Sequence, residues 1–337
     1  MARYDFASDN TAGAMPEVMD ALLAANAGHA AGYGADHIGK RASELIRALL
    51  DVDAEVRFAA SGTAANALTL AALAQPHEAV ACHEHSHIAT DETGAPGFFG
   101  SGLGMLTLPG ASGRIEAQAL KDVLARPDQP HWQSAAALSV TNATEYGAVY
   151  SEADLAVLIG AAKAKGLKVH LDGARLANAA AFGFDVKAVK RLGVDVLVLG
   201  GTKAGSTPTE AIVLLDKNLE RRFGARLKHG GQLVSKARFL AAPWIGMLES
   251  GAWSGRAAHA NAMARKLAAL SPFRVTHPVE ANAVFVEMDE PTLKRLHGAG
   301  WFVYRFIDGS VRFMCSWATT DEAVEELGQA LAKVREA

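Results

Sequence analysis

The segment 167-LKVHLDGARLANAAAFGFDVKAVKRLGVDVLVLGGTKAG-205 holds two short apolar runs separated by a helical period. LKVHLD and VDVLVLGG read as strands buried on both faces, and NAAAFGFDVKAVKRLG between them reads as the crossover helix of a βαβ unit. The same alternation runs outward. Upstream lie VRFAASG with helical TAANALTLAALAQ, the strands AVACHEH and GMLTLP, the helix IEAQALKDVLA, the strand AAALSVTN, and the helix EADLAVLIGAAKAKG ending at Gly166; AIVLLD follows downstream as another strand. This order predicts an α/β fold with a mostly parallel sheet flanked by helices.

An Ala- and Arg-rich helical stretch runs from about Trp244 to Leu270 and stops at Ser271-Pro272, where proline breaks the pattern. Beyond it RVTHP, NAVFVEMD, FVYRFIDGSVRFM and DEAVEELGQALAKVREA predict a compact α+β unit. The expected division is a large domain over 1–243, with its N-terminal segment, and a connecting helix plus small C-terminal α+β domain over 244–337. Half of the residues are hydrophobic, enough for a large core, and 33 basic against 36 acidic residues leave no electrostatic footprint for nucleic acid or an anionic membrane. A small-molecule partner is expected. Cys82 and Cys315 are too few for a disulfide framework, MARYDFASDN lacks the apolar core of a signal peptide, and no apolar run approaches the roughly 20 residues of a membrane span. The expected location is the cytoplasm.

In an open parallel sheet, ligands sit beyond the carboxyl ends of the strands. Three segments fall there: SGTAAN after VRFAA, DGAR after LKVHL, and GGTKAG after VDVLVL. SGTAAN begins a helix, so its free N–H groups and the Thr63 hydroxyl suit a phosphate; an ordinary N-cap is the plain alternative. Asp172 closes an apolar strand and needs a cationic partner, either a protonated pyridine nitrogen or Arg175 three residues on. Lys203, flanked by Gly200, Gly201 and Gly205, sits where backbone can approach a ligand closely and suits a nucleophilic amine.

Together SDN near the start, SGTAAN, His87-Ile88…Asp91-Glu92-Thr93-Gly94-Ala95, HLDGARLANA and GGTKAG resemble the low-specificity L-threonine aldolases, in the fold-type I pyridoxal phosphate enzymes. The resemblance runs from about Asp5 to the C-terminal helix; HLDGAR with a downstream GGTK is its most specific part and SGT its least. It implies pyridoxal 5'-phosphate bound covalently to Lys203, with Asp172 on the pyridine nitrogen, Arg175 on the ring-hydroxyl side, and Gly62 and Thr63 on the phosphate. His87 would stack on the ring near the substrate hydroxyl, with His131 a second candidate for that hydroxyl. Ser8 and Arg312 match carboxylate-binding positions, and Tyr33 in GYGAD matches a site tyrosine that a neighbouring subunit can supply. Lys228 and Lys236 of RLKHGGQLVSKAR both remain candidates for the phosphate, because this segment departs from the usual arginine-containing form. The implied activity is retro-aldol cleavage of L-threonine, L-allo-threonine and related β-hydroxy-α-amino acids to glycine and an aldehyde, in a homodimer or homotetramer.

Two alternatives stand beside this reading. Cofactor groups do not by themselves fix the substrate, so another β-eliminating or side-chain-cleaving lyase fits the same residues. CHEHSHIATDE concentrates Cys82, His83, His85, His87 and Asp91; on a strand the three histidines would share a face and could hold zinc, as in a non-catalytic metal-binding protein. Absent a hydrolytic constellation elsewhere, no metal is expected, and His83 and His85 are read as packing or interface residues.

Overall fold

The computed structural model describes residues 2–336. Seven strands form the main sheet: β1 (Glu55–Ala59), β2 (Ala79–His83), β3 (Gly104–Leu108), β4 (Ala135–Thr141), β5 (Lys168–Gly173), β6 (Val196–Gly200) and β7 (Glu210–Leu214), in the order β1-β7-β6-β5-β4-β2-β3. The five strands β2 to β6 run parallel, as the repeated strand–helix order predicts, and helices lie on both faces. β7 is antiparallel to β6, because residues 201–209 are too short a connection for the crossover of a dozen or more residues that a parallel pair needs. β1 pairs antiparallel with β7 and so runs with β6. The carboxyl ends of β1, β4, β5 and β6 therefore emerge at one edge.

Two expected helices are interrupted. The crossover after β5 is two short helices, Leu176–Phe182 and Ala188–Arg191, broken at Gly183 with φ +123°. The stretch read from Trp244 to Leu270 begins earlier and splits into Arg238–Glu249 and Ala252–Leu270 around Gly251, whose φ of +75° a helix cannot continue through. Trp244, Met247, Trp253 and Ala257 pack in the core of the large sheet, whereas Met263, Ala264 and Leu267 pack in a second core. That second core joins Phe6 from the N-terminal segment to a three-stranded antiparallel sheet of β8 (Ala283–Val286), β9 (Tyr304–Arg305) and β10 (Val311–Met314), ordered β8-β10-β9. Helices Glu290–Gly298 and Asp321–Glu336 cover it. No helix among the described residues is long and apolar enough to cross a membrane.

The turns leaving β5 and β6 press together. A Cβ on Gly200 would lie 2.2 Å from the Ala174 carbonyl oxygen, and one on Gly173 2.8 Å from that of Val198. Glycine at both positions lets the backbone segments bearing Asp172 and Lys203 meet. Gly200→Ala is expected to lower the unfolding free energy by about 1–3 kcal/mol through overpacking, read as a reduced urea midpoint at unchanged m-value.

Candidate active site

At the shared strand edge a cleft of about 340 Å³ is lined by Lys203, His85, His87, Glu145, Arg175 and Arg312. Ser8, Asp91 and the β9–β10 residues Tyr304, Phe306 and Ile307 complete much of its wall. Lys203 occupies a single 3-10 turn, Thr202–Ala204, between β6 and β7. Beneath that turn the buried Glu210 of β7 accepts a hydrogen bond from the Gly201 N–H at 2.9 Å, and burial pushes its carboxyl up to about 7.

Asp172 is buried at 3% exposure. Its Oδ2 accepts from the Asn66 amide at 3.0 Å and its Oδ1 from the Ala174 N–H at 3.0 Å. No cation among the described residues forms an ion pair with it. Arg175, its simplest potential partner, is committed elsewhere: Nε and Nη2 donate to Asp9 at 2.7 and 3.1 Å, and Nη1 lies 3.9 Å from Glu145. His170, two residues earlier on the same face of β5, is pushed down to about 4 by burial and stays neutral. The carboxylate thus has hydrogen-bond donors but no counter-charge, in a sheet interior where an uncompensated charge is costly.

Arg312 on β10 is the opposite case, a cation buried at 7% exposure. Burial first, and the neighbouring Arg175 charge second, push its guanidinium down to about 10. It packs over the rings of Tyr304 and Phe306 at 4.8 and 5.1 Å and donates to the Tyr304 hydroxyl; its Nε has no partner, and no carboxylate among the described residues pairs with it. Ser8, the N-cap of a 3-10 turn, lines the same cleft. A bound group with a cation toward Asp172 and a carboxylate toward Arg312 would complement both.

The histidine-rich segment does not form the expected face. β2 ends at His83, His85 lies in a turn, and His87 begins the short helix His87–Thr90. His83 donates from Nε2 to the Gly110 carbonyl at 3.0 Å. Among the described residues no group of three or more His, Cys, Asp or Glu side chains is arranged to hold a metal ion. His87 Nδ1 bonds Glu92 Oε1 at 2.8 Å, and Nε2 is 3.5 Å from Asp91. The Glu92 hydrogen bond outweighs burial and raises the His87 pKa, while burial raises that of Glu92. The Asn66 amide bridges Glu92 and Asp172 at 2.9 and 3.0 Å, so the cleft histidine and the buried aspartate share one polar chain.

Gly62 and Thr63 occupy the first turn of helix Gly62–Leu73, capped by Ser61, one turn before Asn66. The helix N-terminus therefore opens close to Asp172. The remaining expected site residues are not gathered into this cleft. His131 is exposed in the loop before β4, at the amino end of that strand, while Lys203 follows the carboxyl end of parallel β6. A seven-residue strand, roughly 23 Å long, separates those edges, so within one chain His131 cannot reach the cleft. Tyr33 and Lys228 are exposed and stack on each other, Nζ 5.0 Å from the ring, and Lys236 is exposed three residues before the Phe239 of the next helix. Asp9, Glu92, Asn66, Glu145 and Glu210 were not assigned roles from the sequence. Asp9, Asn66 and Glu92 fall within the SDN, SGTAAN and DETGA motifs, whereas Glu145 and Glu210 have no distinguishing local signal.

A family model described as beta-eliminating lyase matches residues 5–291. The chain belongs to this beta-eliminating lyase family. The lyase is 42% identical to a low specificity L-threonine aldolase of a Pseudomonas species over 98% of both chains, and 44% identical to one of Pseudomonas aeruginosa over 96% of both. Its structure is similar to that of a Leishmania major threonine aldolase, with TM-score 0.91 and 28% identity over 99% of each chain. Its fold is that of the fold-type I enzymes, and pyridoxal phosphate is the cofactor of the family. The lyase fits that group: Asp172 is a buried anion awaiting a cation, Lys203 offers an amine, and the helix N-terminus at Gly62 and Thr63 offers N–H groups to a phosphate.

The Asp9–Arg175 pair holds the cleft wall. Burial would raise the Asp9 carboxyl, but the Arg175 charge and hydrogen bonds prevail and hold it at about 2. A depressed folded-state pKa stabilises above the unfolded value near 4 and is lost as pH falls toward 2. Asp9→Asn is expected to cost roughly 3 kcal/mol at pH 7, with the gap to wild type narrowing between about pH 4 and 2 in urea unfolding.

Proposed function

We propose that this enzyme cleaves L-threonine, L-allo-threonine and related β-hydroxy-α-amino acids to glycine and an aldehyde, using pyridoxal phosphate. The carrying observation is the pair of opposite buried charges, neither with a counter-charge among the described residues: Arg312 in the wall of the cleft that Lys203 lines, and Asp172, joined through Asn66 and Glu92 to the cleft residue His87. Bound there, pyridoxal phosphate supplies an electron sink for the pair left on the substrate Cα.

The chain's own residues orient and divide the work. Asp172 would keep the pyridine nitrogen protonated, Lys203 would bind the cofactor through its amine, and the N–H groups at Gly62 and Thr63 would take the phosphate. Arg175, fixed by Asp9, would serve the ring-hydroxyl side. Arg312 and Ser8 would hold the substrate carboxylate and so fix how the bonds at Cα are presented to the cofactor. His87, steadied by Glu92, would stack on the ring. Tyr33, Lys228 and Lys236, exposed away from the cleft of their own chain, serve at a subunit interface in a homodimer or homotetramer.

Purified enzyme incubated with either threonine diastereomer is expected to release glycine and acetaldehyde; release of ammonia and a keto acid would instead identify a β-eliminating enzyme. Lys203→Ala is expected to lose both this activity and the visible absorbance of the bound cofactor, and an unchanged spectrum would refute the assignment. Arg312→Ala is expected to raise the KM for L-threonine by roughly 10- to 10²-fold, from loss of a charge-assisted contact of about 1.5–3 kcal/mol.

A further inference from the structure

Cleavage of a β-hydroxy-α-amino acid requires a base at the hydroxyl, and neither histidine expected from the sequence is suitably placed for it. His131 lies at the opposite strand edge. His87 turns both ring nitrogens toward carboxylates, Nδ1 to Glu92 at 2.8 Å and Nε2 toward Asp91 at 3.5 Å. The Glu92 hydrogen bond raises the His87 pKa and favours the doubly protonated ring, which has no lone pair for a substrate hydroxyl.

His85 lines the same cleft and is held differently. Its backbone N–H donates to His83 Nδ1 at 3.0 Å, and the two rings meet edge-on at 5.6 Å. Its Nδ1 is 2.6 Å from the hydroxyl of Tyr146. Tyr146 is buried at 2% exposure and is wedged among His277, Phe285 and Phe306, with ring centroids 4.3 to 5.4 Å away. Burial holds its phenol well above the ordinary range, so it remains a neutral hydroxyl that can donate or accept. With Nδ1 occupied, Nε2 is the nitrogen left to the cleft, and no side chain of the described residues bonds it.

Resting on the aldolase reading, we infer that His85 is the catalytic base for the substrate β-hydroxyl and that Tyr146 is its positioning residue. With the Nδ1 proton donated to the Tyr146 oxygen, Nε2 presents its lone pair. The hydroxyl proton passes to Nε2, and the O–H electron pair becomes the C=O bond of the aldehyde. The Cα–Cβ bond breaks, its pair stays on Cα, and a proton there completes glycine. Glu145 is the competing base in the cleft, but its carboxylate faces Arg175 at 3.9 Å.

The test uses holoenzyme of wild type, His85→Gln, His85→Asn, Tyr146→Phe and Glu145→Gln. Glycine affinity is read from the change in cofactor absorbance, since glycine lacks the hydroxyl and its binding does not need the base. His85→Gln and His85→Asn are expected to lower kcat for L-threonine by roughly 10²-fold or more, with glycine affinity kept within about threefold of wild type. Tyr146→Phe should lower kcat less and likewise spare glycine. The inference is overturned if both His85 variants keep kcat within about threefold, if glycine affinity falls in step with kcat, or if Glu145→Gln alone carries the loss. Wild-type enzyme that releases no glycine and acetaldehyde defeats the aldolase reading instead, so the two failures are distinct.

Discussion

Asp172 carries a negative charge near the carboxyl end of the central strand, with no cation among the described residues paired to it. The cost of such a charge is limited by its two hydrogen bonds, from the Asn66 amide and the Ala174 N–H, and by the nearby N-terminus of helix Gly62–Leu73. What keeps it unpaired is equally built: Asp9 draws Arg175 away in a bidentate pair, and burial keeps His170 neutral. A site that withholds its own cation is prepared to receive one from a ligand. Arg312 repeats the logic with the sign reversed, its charge shielded by aromatic faces instead of a carboxylate.

The surrounding groups make sense as supports for these two charges. Asn66 links Asp172 to Glu92 and so to His87, which ties the buried aspartate and the cleft histidine to one polar chain. Glu210 tethers the turn that bears Lys203 from below, through the Gly201 N–H. The small C-terminal unit supplies Arg312, Tyr304 and Phe306 to the cleft wall, while Lys203 comes from the large sheet, so the two sides of the cleft rest on different parts of the fold. Geometry at Arg312 therefore depends on how the two cores pack along helix Ala252–Leu270.

Much of the fold was legible because strands buried on both faces produce continuous apolar runs, and LKVHLD and VDVLVLGG are such runs. The departures have local causes. Gly183 and Gly251 adopt positive φ and interrupt helices whose composition alone looked continuous, and β7 reverses because its connection is short. His83, His85 and His87 looked like one strand face, but β2 ends at His83 and the backbone turns. Period-two patterning cannot reveal where a strand stops when polar residues continue past its end.

From the sequence alone one could read the α/β class, the parallel strand ends, and the placement of Asp172, Arg175 and Lys203 just beyond them, because each signal lies within a dozen residues of the strand that sets it. Tertiary structure alone decided who pairs with whom. Asp9 meets Arg175 across 166 residues, Asn66 meets Asp172 across 106, and Tyr146 meets His85 across 61. Charge compensation and proton-handling depend on distances of about 3 Å between such remote groups, and no local pattern encodes them.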